Sequence, residues 1–575
     1  METRRDREEV AATLEERVAE ATSRTGWPPQ LRTNAPISIC KSTSSQSTRI
    51  TKLIAPVSSI ADVMNADDHL TAGPPPLPQG MRISTGIVGL DDILGGGLVP
   101  GRLYLVEGTP GAGKTTLGLQ FLLEGLTRGE RGLFITLSET NEELEAVAAS
   151  HGWSLDGIDF FELTSAENLS SPDREVTLFH PWEVELGETI QLITDQADRV
   201  APTRVVFDSV SEMRLLAEEP LRFRRQVLAL KQFFAARKAT VLLLEELILN
   251  GNGRDLQLLS LSHGVIRLER WTLDFGGARR RVEITKMRGT RSREGWHDYK
   301  IRTGGIEVFP TLVAAEHVGS FIGEPVPSGL TELDALLDGG PLRGTSALLT
   351  GPAGSGKSTL VLQYVCAAAA RGEHCVVYEF EERIGTMLVR AAKLGLDLQA
   401  HIKTGLVSLR QVDPAQIAPG EFAHIIRKEV EENGARLLVI DSLNGYLSAM
   451  PQEKHLVLQL HELLAYLNQR GVLTLLVNPQ HGAVGNLQTS LDLSYLADTV
   501  MLLRFFEAEG RIRKALSVIK HRGGPHEDRI REYRIDMHGL RVGEPLTMFR
   551  GVLTGTPAYT GDIDPLLEER GADRI

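Results

Sequence analysis

One stretch of this chain occurs twice, and no other feature constrains the fold as much. Thr85-Gly86, Leu90-Asp91, Gly96-Gly97, Gly101 and Gly108 return as Ser328-Gly329, Leu333-Asp334, Gly339-Gly340, Gly344 and Gly351, at one constant offset of 243 residues. Solenoid units run to about 20–50 residues, so this period marks a duplicated domain of about 230 residues and not a stacked array. A chain of 575 residues holds two such domains and little beyond tails. The expected organisation is a first domain over 81–312, a linker over 313–327 and a second domain over 328–556. Residues 1–80 are expected to be a flexible N-terminal tail and linker, and 557–575 a short acidic tail. In the first of these, Val10, Leu14 and Val18 form a narrow apolar stripe between charges over Arg4 to Ala21, the pattern of a partner-binding or coiled-coil segment but more often of a fraying surface helix. Beyond it Ser, Thr and Pro accumulate up to Pro74-Pro75-Pro76-Leu77-Pro78, a composition that stiffens a chain without packing it.

Each copy alternates continuous apolar runs with amphipathic segments. Strands are expected at Leu103 to Glu107, Leu133 to Leu137 and Arg204 to Asp208, with helices at Thr115 to Leu126 and Glu142 to His151. The second copy repeats the pattern with Ser346 to Thr350, Ser358 to Ala370, Cys375 to Phe380 and Leu437 to Asp441. Strands without polar alternation, separated by helices, make a mainly parallel sheet covered on both faces. The predicted fold class is α/β, in tandem.

Gly108-Thr109-Pro110-Gly111-Ala112-Gly113-Lys114-Thr115 fits G-x-x-x-x-G-K-[ST], and so does Gly351-Pro352-Ala353-Gly354-Ser355-Gly356-Lys357-Ser358. Glycines let such a loop wrap phosphate oxygens with backbone N–H groups, and the following helix N-terminus adds a favourable dipole. Lys114 and Lys357 are placed to reach the β- and γ-phosphates of ATP, and the hydroxyls of Thr115 and Ser358 to bind Mg²⁺. Two matches, each between a strand and a helix, are not ordinary Gly-rich turns. Asp208 and Asp441 each end an apolar strand and are the expected partners of Mg²⁺. Alone, such an Asp is more often a cap or turn residue; beside a P-loop in both copies it is a site candidate. Glu381-Glu382 follows the second strand of the second copy, and the same offset lands on Ser138-Glu139. Carboxylates there can polarise an attacking water, which makes Glu139, Glu381 and Glu382 the candidate catalytic residues; the bland alternative is a solvated helix N-terminus. Lys286-Met287-Arg288-Gly289 and Lys520-His521-Arg522-Gly523 put cation, neutral, cation on expected strands, so both charges share a face. That spacing suits phosphate contacts, but equally a charged edge strand that resists aggregation.

These motifs together resemble the KaiC family within the RecA-like P-loop ATPases, over roughly Arg82 to Tyr559. The Gly551-Val552-Leu553-Thr554-Gly555-Thr556-Pro557 segment is also similar to that family. The resemblance implies a two-tiered homohexameric ring with ATP between neighbouring subunits, Lys286, Arg288, Lys520 and Arg522 acting in trans on a neighbour's nucleotide. It also implies ATP hydrolysis in the first domain, and in the second both hydrolysis and phosphorylation of a Ser-Thr pair. Here that pair falls on Ser494-Tyr495, with Thr489 and Ser490 nearby as alternative acceptors, and Ser138 replaces the first of two glutamates. Because of the altered pair and the short acidic tail, the expected role is signalling through unknown partner proteins and not a clock.

Composition narrows the rivals. A net charge of -13 argues against a basic nucleic-acid footprint, and so against a RecA-class DNA-dependent ATPase. A nucleotide-gated scaffold with little turnover is the other alternative, and intact Lys114, Lys357, Glu139 and Glu382 count against it. No apolar run reaches the ~18 residues of a membrane span, and the N-terminus mixes Arg with Asp and Glu where a secretory signal has an apolar core. Cys40, Cys366 and Cys375 form no paired framework. The expected compartment is the cytoplasm.

Overall fold

The computed structural model describes residues 81–163, 181–217, 219–247, 256–272, 277–317, 319, 323–448, 456–480, 493–537, 539–553 and 558–560. The expected Arg4 to Ala21 helix, the Pro74 to Pro78 run and the acidic residues after 560 lie outside these.

In the first domain nine strands form one sheet. Its order is β3 (Ile158–Glu162), β2 (Gly132–Thr136), β4 (Arg204–Asp208), β5 (Thr240–Glu246), β1 (Leu103–Gly108), β6 (Gly264–Trp271), β7 (Arg279–Met287), β8 (Trp296–Arg302), β9 (Gly305–Phe309). Every pairing from β3 to β6 is parallel, and the three from β6 to β9 are antiparallel. Each residue of β1, β2 and β4 is buried, as strands covered on both faces must be. One core, holding Val106, Phe134 and Val206, lies under α1 (Lys114–Thr127); the other, holding Leu105, Ile135 and Phe207, lies on the opposite face. The second domain repeats this with β12 (Val407–Gln411), β11 (Cys375–Glu379), β13 (Leu437–Asp441), β14 (Leu473–Gln480), β10 (Ser346–Pro352), β15 (Thr499–Ala508), β16 (Arg511–His521), β17 (Arg531–Asp536), β18 (Gly539–Pro545). Here α3 (Lys357–Ala370) follows β10 as α1 follows β1, and α2 (Asn141–Ser150) follows β2. Both domains are tandem RecA-like α/β units.

The repeated lead-in has a local cause. Thr85 donates its hydroxyl to Asp91 Oδ1 at 2.7 Å and its N–H to the same oxygen at 2.8 Å; the Ser328 N–H reaches Asp334 Oδ1 at 2.6 Å. Each Asp thus closes the turn that feeds its domain.

Two connections pack against the domains they join. Leu312 and Ala314 are buried in the second domain's core beside Leu348 and Val376, because they are apolar and within reach of it; Ala314 opens a single 3-10 turn, Ala314–Glu316. The stretch expected as a linker is therefore partly packed. Near the other end, β19 (Phe549–Arg550) pairs with β20 (Ala558–Tyr559), and the rings of Phe549 and Tyr559 meet at 5.4 Å.

Candidate active sites

Both P-loops leave the C-terminal end of a central strand, where open α/β sheets receive ligands. Gly111 and Gly113 have φ of 70° and 93°, Gly354 and Gly356 of 77° and 104°, which side-chain-bearing residues rarely adopt. Lys114 folds back to Gly108 O at 3.1 Å, and Lys357 to Gly351 O and Pro352 O at 2.9 and 2.8 Å. Burial depresses both lysines, Lys357 to about 8, against the pull of neighbouring carboxylates. In the first site the Thr115 hydroxyl donates to Asp208 Oδ2 at 2.9 Å. Ser358 and Asp441 are hydrogen-bonded likewise in the second. The peptide bonds Asp208–Ser209 and Asp441–Ser442 are cis.

The candidate bases differ between the sites. Thr136 holds the Glu139 backbone from both sides, donating to its carbonyl at 2.8 Å and accepting from its N–H at 3.0 Å. The Glu139 Oε2 atom is buried without a hydrogen-bond partner. Burial, then Asp208 and Glu143, push this carboxyl up to about 7. Glu382 instead pairs with Arg390 at 2.8 Å, and Glu381 accepts from the Ser442 hydroxyl.

Glu379 was not anticipated. It is 2% exposed and pairs in register with Asp441 on the adjacent strand; its Oε1 accepts the Glu382 N–H at 2.9 Å and its Oε2 has no partner. Burial and the proximity of Asp441 raise it. Nothing in the tripeptide Glu379-Phe380-Glu381 itself shows that strand register sets the first Glu opposite Asp441. Also unanticipated is Arg280, whose Nε reaches Gly111 O at 3.4 Å from β7.

The residues present suit Mg²⁺. Each site offers a hydroxyl beside a carboxylate, hard oxygen donors, amid carboxylates that burial and mutual repulsion raise. Among the described residues no three His, Cys, Asp or Glu side chains form a metal cage. A magnesium that keeps its waters and shares substrate phosphates needs none.

The Lys/Arg clusters sit at strand ends. The strands stop at Met287 and His521, so Arg288 and Arg522 lie just beyond them, and a register shift precedes each lysine at Val265/Ile266 and Val500/Met501. Lys286 donates to Ser262 O at 2.8 Å and Arg288 to Ser260 O at 3.0 Å. Lys520 donates to Ser494 O and Ala497 O at 2.9 and 2.6 Å, while Arg522 is 3.4 Å from Asp498. Ser494 lies in the turn before β15 beside exposed Tyr495; Thr489 and Ser490 lie outside the described residues.

The sequence profile described as "ATPase: KaiC" matches residues 83–313 and again 326–547. The chain is 27% identical over 490 residues to "Circadian clock protein KaiC3" of Synechocystis sp., covering 83% of this chain and 95% of that protein. It is 28% identical over 484 residues to "Circadian clock oscillator protein KaiC" of Thermostichus vulcanus, covering 83% and 92%. With the protein of the same name from Parathermosynechococcus lividus it shares 29% over 483 residues, covering 82% and 87%.

Proposed function

The chain belongs to the KaiC ATPase family, and on that premise we propose that it is a cytoplasmic, Mg²⁺-dependent ATPase ring that signals through partner proteins. Its second domain would also phosphorylate its own Ser494. The observation that carries the hydrolytic reading is the first site: a hydroxyl–carboxylate pair beside a P-loop lysine, facing a glutamate whose Oε2 is buried and unpartnered.

Water attacks the γ-phosphorus of ATP, the bond from that phosphorus to the β–γ bridging oxygen breaks, and ADP leaves. Glu139 takes the water's proton; a carboxyl near 7 is ionised often enough at neutral pH and basic enough to accept it. Mg²⁺ beside Thr115 and Asp208, or Ser358 and Asp441, would supply positive charge to the phosphate oxygens. In the second domain Glu381 or Glu382 would serve as base, each first leaving Ser442 or Arg390. With Ser494 in place of water, the same displacement makes phosphoserine. Lys286, Arg288, Lys520 and Arg522 would act on a neighbouring subunit's nucleotide, which ties ATP binding to assembly by mass action.

The test is the full chain with Mg-ATP, followed by released phosphate, the phosphorylation state of the tryptic peptide Gly471 to Arg504, and particle mass. In a Lys357→Ala background, Glu139→Gln should cut phosphate release about 10²–10⁴-fold while ATP still binds. Unchanged release would remove Glu139 from the mechanism. A monomer at saturating ATP would rule out the ring, and an unmodified peptide beside steady phosphate release would leave an ATPase without kinase activity.

A further inference from the structure

Each P-loop rests on a strand far along the chain. Tyr299 on β8 donates its hydroxyl to Ala112 O at 2.5 Å, and Tyr533 on β17 donates likewise to Ser355 O. The two tyrosines are 2% and 1% exposed, so water cannot replace either bond. Burial raises both phenols well above their usual range, which keeps them protonated donors. Two residues on, the same strands fill the space behind the next glycine. A Cβ on Gly113 would stand 2.6 Å from Ile301 Cδ1, and one on Gly356 would collide with Ile535 Cδ1. The same pair of contacts occurs in both domains, although the candidate bases of the two sites differ.

The consequence follows from peptide geometry. In a planar trans peptide the C=O and the N–H point in opposite directions. The Ala112 carbonyl shares its peptide with the Gly113 N–H, and the Ser355 carbonyl with the Gly356 N–H. A phenol that holds the carbonyl behind the loop therefore turns the N–H to the front, immediately before Lys114 or Lys357. Without the phenol, the buried carbonyl has no partner and the peptide is free to turn in search of one.

We propose that Tyr299 and Tyr533 are positioning residues of the two ATP sites, each presetting the peptide before the P-loop lysine so that the Gly113 or Gly356 N–H faces a phosphate oxygen. The inference rests on the P-loops binding ATP, as argued above. Neither tyrosine touches nucleotide; each acts through the loop backbone.

The experiment titrates ATP calorimetrically into the full chain. Tyr299→Phe is made in a Lys357→Ala background, where the first site alone binds, and Tyr533→Phe in a Lys114→Ala background. Each should weaken ATP binding roughly 5- to 30-fold against its parent, equivalent to about 1–2 kcal/mol at 1.36 kcal/mol per tenfold. The nucleotide-free melting temperature is measured alongside, because a merely structural phenol would lower that and leave the affinity of the folded protein alone. Lower melting with unchanged affinity in both domains overturns the inference. Each domain is a separate test, so a variant that fails to fold leaves the decision to the other. Parents that bind no ATP would overturn the P-loop reading itself; parents that bind and variants that match them overturn only the role of the tyrosines.

Discussion

His297 is a titratable group that folding holds neutral. It is 1% exposed on β8, and its Nδ1 accepts the Thr311 N–H at 2.9 Å, so that nitrogen carries no proton. Burial depresses the ring to about 4; a hydrogen bond with the Arg293 backbone and the charge of Asp92 oppose it, and the Arg293 guanidinium adds to it. Between about 4 and the ordinary 6.5, the unfolded chain binds a proton that the folded chain does not. The stabilisation is therefore complete above pH 6.5 and is lost as pH falls toward 4. At pH 5 the loss is about 2 kcal/mol. Urea unfolding at pH 7.5 and pH 5 should show a smaller drop for His297→Gln than for the wild type, by up to that amount. Equal drops would mean that His297 does not titrate as its surroundings require. The comparison of Glu139 with Glu382 belongs to the same scale: two equivalent positions in sequence, one with an unpartnered oxygen and one paired to Arg390, a difference that only the surroundings create.

Among elements, β8 and β17 place the P-loops and are the ones the sequence hides best. Three parallel strands of each domain, β1, β2 and β4 with β10, β11 and β13, are legible because each is a short contiguous apolar run: the expected Arg204 to Asp208 and Leu437 to Asp441 are β4 and β13 to the residue, while β3, β5, β12 and β14 are not among the expected strands. The antiparallel halves are not. β7 carries Arg279, Arg280, Arg281 and Glu283, and β17 carries Arg531, Glu532 and Arg534, so both resemble solvated surface. Tyr299 meets Ala112 across 187 residues, and no local pattern announces that contact. The repeat itself slips there, from an offset of 243 at the P-loops to 234 at the tyrosines and the Lys/Arg clusters. A prediction at this scale separates backbone from packing. Gly356→Ala places a Cβ against Ile535 and forces alanine to φ of 104°. Relieving the clash with Ile535→Ala leaves the backbone strain of about 1–3 kcal/mol, so the double variant should still bind ATP poorly at the second site. Full recovery of ATP affinity in a titration would show that packing alone excluded the side chain.

Over the whole molecule, β8 also joins the two domains. Successive residues of a strand point to opposite faces. Tyr299 and Ile301 face the first P-loop, while Asp298, Lys300 and Arg302 meet the start of α4 (Pro419–Glu431) in the second domain. Asp298 accepts the Gly420 N–H at 2.8 Å, and Glu421 lies 2.7 Å from Lys300 and also pairs with Arg302. The side chains are unequally buried: Glu421 is 4% exposed, Lys300 31% and Arg302 48%. That inequality decides which deletion is costly. Removing Glu421's charge leaves two cations that can turn to water, and glutamine can still cap α4, so Glu421→Gln should cost no more than about 1 kcal/mol. Removing both cations strands a carboxylate where water does not reach, so Lys300→Met with Arg302→Met should cost about 3–5 kcal/mol. Adding Glu421→Gln to that pair takes away the stranded charge and should restore most of the loss. Urea unfolding of the three variants measures the order directly. If Glu421→Gln were the worst of them, the clamp would owe its strength to the glutamate's attraction and not to the cost of leaving it alone. The same junction ties the strand behind the first P-loop to the second domain, so the double variant should also separate the unfolding of the two domains in a calorimetric scan.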